Sequence, residues 1–363
     1  MNNYEKKIVE IDLIKTKINS MIKIRDEGRF DPCFSLNILW RNFESYIEYI
    51  RYLPAKYLVD IRAHSGHAFF SNNWAADYHD GHKIKSDDEA LDAEVVKKYL
   101  EHVKDIPKKY WCSESRSSEI VSQIGIKYGD YLINRDIVKE QGCISNLYQL
   151  GIIDLLEKKD SVVVEIGSGY GQLAYQLATK IESNICYICI DYPETLFWST
   201  VFLTVNNIED SVYVYDGDIH VEINELIGKY KYIMIPNYMI NQLKKINQID
   251  LVINQNSFQE MSDEQVDYYM SVLNESNMDI LYSYNADGQN QNSELQNRIF
   301  DKLHSHFYGY PNINFYDKFY LNNSKSISLK KLFIGSKFTN SKNLDALNLN
   351  GDIYISGIKT KLN

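Results

Sequence analysis

The sequence predicts an α/β protein in which a mostly parallel sheet follows a mainly helical N-terminal region. From residue 161 onward, short apolar runs alternate with helical stretches, which is typical of a parallel sheet. A glycine-rich turn at residues 167–171 directly follows the first apolar run. An acidic residue, Asp191, ends the second run about twenty residues later, the spacing of a ligand-binding βαβ unit.

Residues 1 to about 150 form the predicted helical region. Apolar side chains recur at helical spacing over residues 8–22 and 36–53, and helical patterns return at 87–102 and around 117–150. The segment 64–85 is rich in His, Asn, Asp and Gly, which predicts a loop. We expect the region 1–150 to cap the substrate or to mediate oligomerisation, with a homodimer as a candidate assembly.

Residues 151–338 form the predicted sheet domain. Apolar runs predict strands at 162–166, 185–190, 212–215, 232–235, 249–253 and 280–284. Helical patterns between them cover 172–181, 194–206, 263–274 and 291–306. Two later runs, 314–321 and 326–334, predict an antiparallel pair at the end of the sheet. Residues 339–363 predict a C-terminal tail, with 353–355 as a candidate short strand.

The composition excludes several classes of protein. A net charge of −10 disfavours nucleic acid as a partner, because nucleic-acid binders carry a basic stripe. The sequence contains no run of about 20 apolar residues, so we expect no membrane span. The N-terminal residues lack the apolar core of a secretory signal, and the five cysteines are scattered and odd in number. We therefore expect a reduced, cytoplasmic protein.

The spacing of the glycines distinguishes between two kinds of nucleotide ligand. Glycine allows positive φ and close approach of a ligand, and the helix that follows offers free N–H groups. A dinucleotide fingerprint counted from Gly167 and Gly169 needs a third glycine at position 172. That position is Gln172, and the third glycine is Gly171. The pattern E-x-G-x-G-x-G that starts at Glu165 therefore disfavours a nicotinamide oxidoreductase.

This pattern resembles motif I of class I methyltransferases that depend on S-adenosyl-L-methionine, a family with a Rossmann-like sheet. The resemblance implies that Glu165 lies near the methionine end of the cofactor, while Asp191 is placed to accept the ribose hydroxyls. A protein that binds the cofactor without turnover is a further alternative, which the intact turn and Asp191 argue against. The candidate cofactor-binding residues are Glu165, Gly167, Ser168, Gly169, Gly171, Asp191, Tyr192, Pro236, Asn237 and Asn254.

Three segments also resemble a narrower family, the bacterial sugar O-methyltransferases of polysaccharide and antigen gene clusters. They are residues 165–174, 191–196 (DYPETL) and 253–261 (INQNSFQEM), and the similarity covers about residues 110–335. This resemblance implies an acceptor that is a sugar hydroxyl of a saccharide or glycosylated intermediate. The alternative is N- or O-methylation of a peptide or other secondary metabolite.

The segment 254–260 follows a predicted sheet strand and offers candidate catalytic and acceptor-binding residues. A sugar hydroxyl is a poor nucleophile at neutral pH, so a general base should help. Glu260 is the only base in this segment, although it could instead bind a ligand or stabilise the next helix. Asn256 and Gln259 are candidates for binding the acceptor.

A histidine-rich loop supplies the other catalytic candidates, His64 and His67, which pair by spacing with His79 and His82. Such pairs can bind a metal, but polar loops also collect histidines without one. We expect no metal, and either a solvated loop or a substrate-facing lid that carries a catalytic histidine.

Arginine at position 116 suits recognition of an acidic acceptor, although ion pairs between helices, which are the commoner outcome, also explain Arg116, Glu119, Arg135 and Asp136. Two apolar runs, 212–215 and 232–235, compete for the third strand of the sheet. The family resemblance favours the second, which would place Pro236 and Asn237 against the adenine.

Overall fold

The computed structural model describes residues 2–64, 89–115, 125–207, 211–218, 220–286, 292–307, 313–318 and 354–359. Within these ranges the strands are β1 Ile126–Tyr128, β2 Tyr131–Ile133, β3 Ser161–Ile166, β4 Ile185–Asp191, β5 Val212–Val214, β6 Tyr232–Pro236, β7 Ile249–Gln255, β8 Met278–Ala286, β9 Ile313–Lys318 and β10 Tyr354–Lys359.

The α-helices in the same ranges are α1 Asn3–Ile24, α2 Ile38–Arg41, α3 Glu44–Tyr52, α4 Ala55–Leu58, α5 Glu89–Val103, α6 Arg135–Gln149, α7 Ile152–Leu156, α8 Gln172–Lys180, α9 Pro193–Asn206, α10 Ile223–Leu226, α11 Asp263–Glu275 and α12 Ile299–His306. No helix among them is both long and apolar enough to cross a bilayer.

One sheet has the strand order β5-β6-β4-β3-β7-β8-β10-β9. The strands from β5 to β8 run parallel, and β10 is antiparallel to both of its neighbours. The chain leaves β3 in one direction towards β4 and β6, then returns to build β7 and β8 on the other side. The predicted fold class is confirmed: a Rossmann-like, mostly parallel sheet with an antiparallel last strand and a mainly helical N-terminal region.

The end of the sheet differs from the sequence prediction. The strand β9 pairs with Tyr354–Lys359, and the segment 326–334 that was expected to pair with it lies outside the described residues. The strand β10 also reaches β8 through Tyr354 and Ile355. The candidate short strand at 353–355 overlaps β10, which is longer than expected and bridges β8 and β9.

A β-hairpin replaces part of the helix expected around residues 117–150. The strands β1 and β2 pair antiparallel around Gly129 and Asp130. Gly129 has a φ of 58°, which a two-residue hairpin turn needs and a helix excludes. The helix α6 then begins at Arg135, where the side chain of Asn134 accepts a hydrogen bond from the backbone N–H of Ile137.

The N-terminal helix α1 begins with a capping box made by Asn2 and Glu5. Its buried face, formed by Ile11, Ile14, Ile18 and Met21, packs against α9 of the sheet region. Buried apolar residues from both regions belong to one continuous core. The core is therefore continuous across residue 150, the predicted boundary between the helical region and the sheet domain.

The segment after α1 crosses the carboxyl ends of the sheet strands. Phe30 stacks on Tyr238 with ring centroids 4.3 Å apart, and the side-chain amide of Asn237 donates to the carbonyl of Phe34 at 3.0 Å. We call residues 30–41 the N-terminal strap. Because ligands of open α/β sheets bind at the carboxyl ends of the strands, the strap forms one wall of the place where a ligand would lie.

Candidate functional site

A cavity of about 410 Å³ lies at the carboxyl edge of the sheet, beside β3, β4 and β7. It is the site at which the chain reverses its direction along the sheet, the usual ligand position in such folds. The described residues that line it are Asn37, Trp40, Asp136, Lys139, Glu140, Glu165, Gly167, Ser168, Gly169, Tyr170, Gln172, Leu173, Asp191, Tyr192, Gln255, Asn256, Ser257, Gln259, Glu260 and Met261.

The glycine-rich turn forms the floor of this cavity. Gly167, Gly169 and Gly171 all have positive φ, between 54° and 88°. A Cβ on Gly167 would also lie 2.0 Å from the hydroxyl oxygen of Ser257, so a side chain there would collide with the turn after β7. The turn therefore needs glycine both for its backbone path and for its approach to Ser257. Gly171 lies behind the cavity as the N-cap of α8.

Asp191 joins the tip of β4 to the glycine-rich turn. Its Oδ2 accepts a hydrogen bond from the backbone N–H of Gly169 at 2.9 Å. Its Oδ1 accepts from the N–H of Tyr192 at 2.8 Å and from the hydroxyl of Thr195 at 2.6 Å. A carboxylate offers about four acceptor positions, so one remains, on Oδ2. This leaves room for one ribose hydroxyl rather than the two expected from the sequence.

A charged end of the cavity lies between β3 and α6. The buried carboxyl of Glu165 accepts a hydrogen bond from the hydroxyl of Tyr187 at 2.9 Å. Lys139 Nζ lies 3.0 Å from Oε1 of Glu140. Burial raises the pKa of Glu165 to about 8, and the nearby Glu140 carboxylate adds to this effect. Among the described lining residues Lys139 is the single cation, beside five carboxylic acids.

The opposite wall carries Glu260, held by the N-terminal strap. The indole N–H of Trp40 donates to Oε2 of Glu260 at 3.2 Å, and the side-chain amide of Asn37 donates to the Glu260 carbonyl. Burial raises the pKa of Glu260 to about 7, and the Trp40 hydrogen bond opposes that rise. A carboxyl group that titrates near neutral pH suits proton transfer.

The turn that carries Glu260 is strained. Asn256 has a φ of 54°, a left-handed value that non-glycine residues adopt rarely. Its side-chain oxygen is buried without a hydrogen-bond partner, as is Oε1 of the neighbouring Gln255. Strained residues and unsatisfied buried polar atoms cluster at ligand sites, because a ligand supplies the missing partner. Gln259 also lines this wall.

Some sequence-predicted cofactor residues lie outside the cavity lining. Asn254 is buried and links the end of β3 to the turn after β7. Its amide donates to the carbonyl of Ile166, and its oxygen accepts from the N–H of Phe258. The run 232–235 is the strand next to β4, as the sequence favoured, with Pro236 aligned with Asp191. Pro236 and Asn237 do not line the cavity, and Asn237 instead binds the strap.

Among the histidine and arginine candidates for site residues, His64 is the one that the described ranges include. His64 ends a 3₁₀ turn, where its carbonyl accepts the hydroxyl of Tyr46, and it does not line the cavity. His67, His79, His82 and Arg116 lie outside the described residues. Asp136 pairs with the buried Arg62 at 2.6 Å, a partner outside the set named from the sequence. No group of three His, Cys, Asp or Glu suited to a metal occurs in the described part of the chain.

Sequence reasoning missed several lining residues, chiefly Trp40, Lys139, Glu140 and Gln172. The first three come from the helical region, where no local motif marks them and long-range packing alone brings them to the sheet. Gln172 did carry a signal, because it occupies the position where a dinucleotide site needs glycine. It lines the cavity from the first turn of α8.

Comparison of the sequence with family models and with curated proteins finds no match. Solved structures that resemble the fold include phosphoethanolamine N-methyltransferase 2 of Haemonchus contortus, with 12% identity over 62% of this chain and a TM-score of 0.35. The alignment spans 54% of that enzyme, about half of its length.

Two further structures are similar at the same level. The methyltransferase domain of a bacterial Hen1 protein has 14% identity, covers 60% of this chain and 99% of its own, and gives a TM-score of 0.34. An arsenic(III) S-adenosylmethionine methyltransferase of Chlamydomonas reinhardtii has 12% identity, covers 56% of this chain and 64% of its own, and gives a TM-score of 0.31.

Proposed function

We propose that this protein is an S-adenosyl-L-methionine-dependent O-methyltransferase that acts on a sugar hydroxyl. The observation that carries the proposal is the hydrogen bond that the N–H of Gly169 donates to Asp191. It holds a carboxylate suited to binding a ribose hydroxyl beside the glycine-rich turn, in the lining of one cavity. The same cavity contains Glu260, a candidate base, on its opposite wall.

The lining residues fit the cofactor in charge and in hydrogen bonding. When bound, S-adenosyl-L-methionine supplies a methyl group on a positively charged sulfur. The carboxylate of Asp191 provides negative charge in the same cavity, and the first turn of α8, with Gln172 and Leu173, lines it with a helix N-terminus. Asp191 would hold the ribose through its remaining acceptor position on Oδ2.

The acceptor side fits a neutral, polyhydroxylated molecule. Carboxamide side chains line it, including Asn37, Gln255, Asn256 and Gln259, and each offers both donors and acceptors. The indole of Trp40 lines the same wall and provides an apolar face for the C–H groups of a sugar ring. Glu260 would take the proton of the acceptor hydroxyl, since its pKa of about 7 leaves a large ionised fraction at neutral pH.

The second candidate function keeps the cofactor and changes the acceptor to an amine of a peptide or other secondary metabolite. The excess of carboxyl groups in the cavity favours this alternative, because carboxylates also attract a protonated amine. We rank it second because the carboxamides of the acceptor side are uncharged.

The acceptor class can be tested by measuring S-adenosylhomocysteine release with matched panels of saccharides and of primary amines. We expect turnover with at least one saccharide and none with the amines. Turnover with amines alone would replace the sugar assignment and would leave the proposed methyltransferase chemistry intact.

A further inference from the structure

The turn that carries Glu260 ends in three consecutive backbone carbonyls that bind side chains from distant segments. The 3₁₀ turn Phe258–Glu260 uses the carbonyls of Ser257 and Phe258 for its internal hydrogen bonds. The carbonyls of residues 259–261 come next along the chain. Because the last carbonyls of a helical turn need partners from elsewhere, the segments that supply those partners determine where the turn lies.

Asn292, in the segment after β8, donates to two of these carbonyls. Its Nδ2 lies 2.7 Å from the carbonyl oxygen of Met261 and 3.3 Å from that of Gln259. Its Oδ1 accepts from the backbone N–H of Glu294 at 3.0 Å, which orients the amide so that its nitrogen faces the turn. Asn292 is buried and lies outside the described cavity lining. It therefore holds the backbone on both sides of Glu260 from behind the ligand site.

Asn37 of the N-terminal strap holds the third carbonyl in the same way. Its Nδ2 donates to the carbonyl of Glu260, and its Oδ1 accepts from the N–H of Trp40 at 3.0 Å. The indole of Trp40 donates in turn to the Glu260 carboxyl. The strap also binds the segment after β8, because Oε2 of Glu294 accepts from the N–H of Ile38 at 3.0 Å. Two distant segments that bind each other thus enclose one turn.

We infer that Asn292 and Asn37 form a carbonyl clamp, which fixes the backbone on both sides of Glu260 and so holds its carboxyl in place at the cavity. This inference rests on the proposed function, in which Glu260 takes the proton of the acceptor. Such a group has to stay within about 0.5 Å of its productive position, and a misplacement of about 1 Å can cost roughly a hundredfold in rate. Asn292 is then a positioning residue that acts through Glu260.

A double-mutant cycle between Asn292→Ala and Glu260→Gln tests the clamp. Rates are measured as transfer of a tritiated methyl group from S-adenosyl-L-methionine to the best acceptor of the saccharide panel. In the wild-type background, Asn292→Ala should lower kcat by about ten- to a hundredfold, because the base is displaced. The KM for S-adenosyl-L-methionine should stay within about twofold of the wild-type value, because Asn292 lies outside the described cavity lining.

The same change should have almost no effect on kcat when the base is absent. In the Glu260→Gln background, Asn292→Ala should lower kcat by less than about twofold, because the group that the clamp positions has already been removed. A residue that merely stabilises the fold would instead lower kcat by the same factor in both backgrounds.

Two further variants complete the design. Asn297→Ala is the matched control, since Asn297 belongs to the same segment but its amide donates to the carboxylate of Asp263 at 3.0 Å; its kcat should equal that of the wild type. Asn292→Asp keeps the oxygen that accepts from Glu294 and removes the two donors to the turn. It should reproduce the loss of kcat even if the alanine variant folds poorly.

The outcomes separate the clamp from the proposed function. Wild-type kcat in both Asn292 variants, or equal losses of kcat in both backgrounds, would overturn the clamp and leave the proposed function standing. Wild-type kcat in Glu260→Gln would exclude the base and the clamp together. If the wild-type protein methylates none of the saccharides, the proposed function itself is overturned, and the clamp with it.

Discussion

Two walls of the cavity carry the same kind of group, a carboxyl, in contrasting surroundings. On the β4 side, Asp191 accepts hydrogen bonds from three donors, all within 22 residues along the chain. On the β7 side, the Glu260 carboxyl accepts a hydrogen bond from Trp40, 220 residues away. Burial raises the pKa of Asp191 to about 6 and that of Glu260 to about 7.

The difference shows how two carboxyl groups in one cavity can have different roles, one in binding a ligand and the other in proton transfer. Donors that stabilise the ionised form oppose the effect of burial, so Asp191 is held ionised and fixed in position at neutral pH. Glu260 has fewer such donors and is left near the midpoint of its titration, where a base can both accept and release a proton. The β4 wall is thus suited to binding and the β7 wall to proton transfer.

The largest effect is expected from Glu260→Gln, which preserves shape and hydrogen bonding but removes the base. If Glu260 accepts the proton, kcat should fall by roughly 10²–10⁴ with cofactor affinity nearly unchanged. Steady-state release of S-adenosylhomocysteine and a binding titration measure the two quantities. The control is Glu264→Gln, an exposed carboxylate one turn further on. An unchanged kcat would exclude the base, and lost cofactor binding would make Glu260 a ligand of the cofactor.

The substitution Asp191→Ala addresses the opposite wall. We expect cofactor binding to weaken by about 1–3 kcal/mol, or roughly 5- to 150-fold, with a lower Tm because three internal hydrogen bonds are lost. Asp250→Ala is the matched control, since Asp250 accepts from the N–H of Val162 at the other end of the strands. That variant should lose stability and keep its affinity. Equal affinity losses in both variants would show that Asp191 acts through the fold alone.

A smaller effect is expected from Trp40→Phe, which removes the donor to the Glu260 carboxylate. Because that donor favours the ionised form, its loss raises the pKa of Glu260 further above 7. The rising limb of kcat against pH should move to higher pH by about half a unit to one unit. Trp111→Phe, which removes a donor to the Ile106 carbonyl away from the cavity, should leave the limb in place. If the rising limb of kcat in Trp40→Phe stays at the wild-type pH, the group whose ionisation controls kcat is not the Glu260 carboxyl that Trp40 contacts.

No effect at all is expected from EDTA. The proposed base is a carboxyl group, and no metal-binding group occurs within the described ranges of the chain. Turnover should therefore persist after chelation, and elemental analysis should find no stoichiometric zinc. If chelation abolished activity and a divalent ion restored it, the histidines at 64, 67, 79 and 82 would become the first candidates for ligands.

The contrast between the local contacts of Asp191 and the long-range contact of Glu260 also explains which features could be predicted from the sequence. The sheet, the glycine turn, Asp191 and the choice of β6 beside β4 all follow from local patterns within βαβ units. Trp40 and Lys139 could not be predicted, because they reach the cavity through tertiary packing: Trp40 contacts Glu260, 220 residues away, and Lys139 lies on α6, which packs against α8. The hairpin at Gly129 was missed although its turn residues were visible, since the helical pattern around it dominated the interpretation.

The central claim is that the glycine spacing and Asp191 select S-adenosyl-L-methionine over a dinucleotide. Isothermal titration calorimetry of the wild-type protein with S-adenosyl-L-methionine and with NAD tests it most directly. We predict binding of S-adenosyl-L-methionine at micromolar strength and far weaker binding of NAD, because Gln172 occupies the position where a dinucleotide needs glycine. Tight binding of NAD with no heat from S-adenosyl-L-methionine would contradict the account.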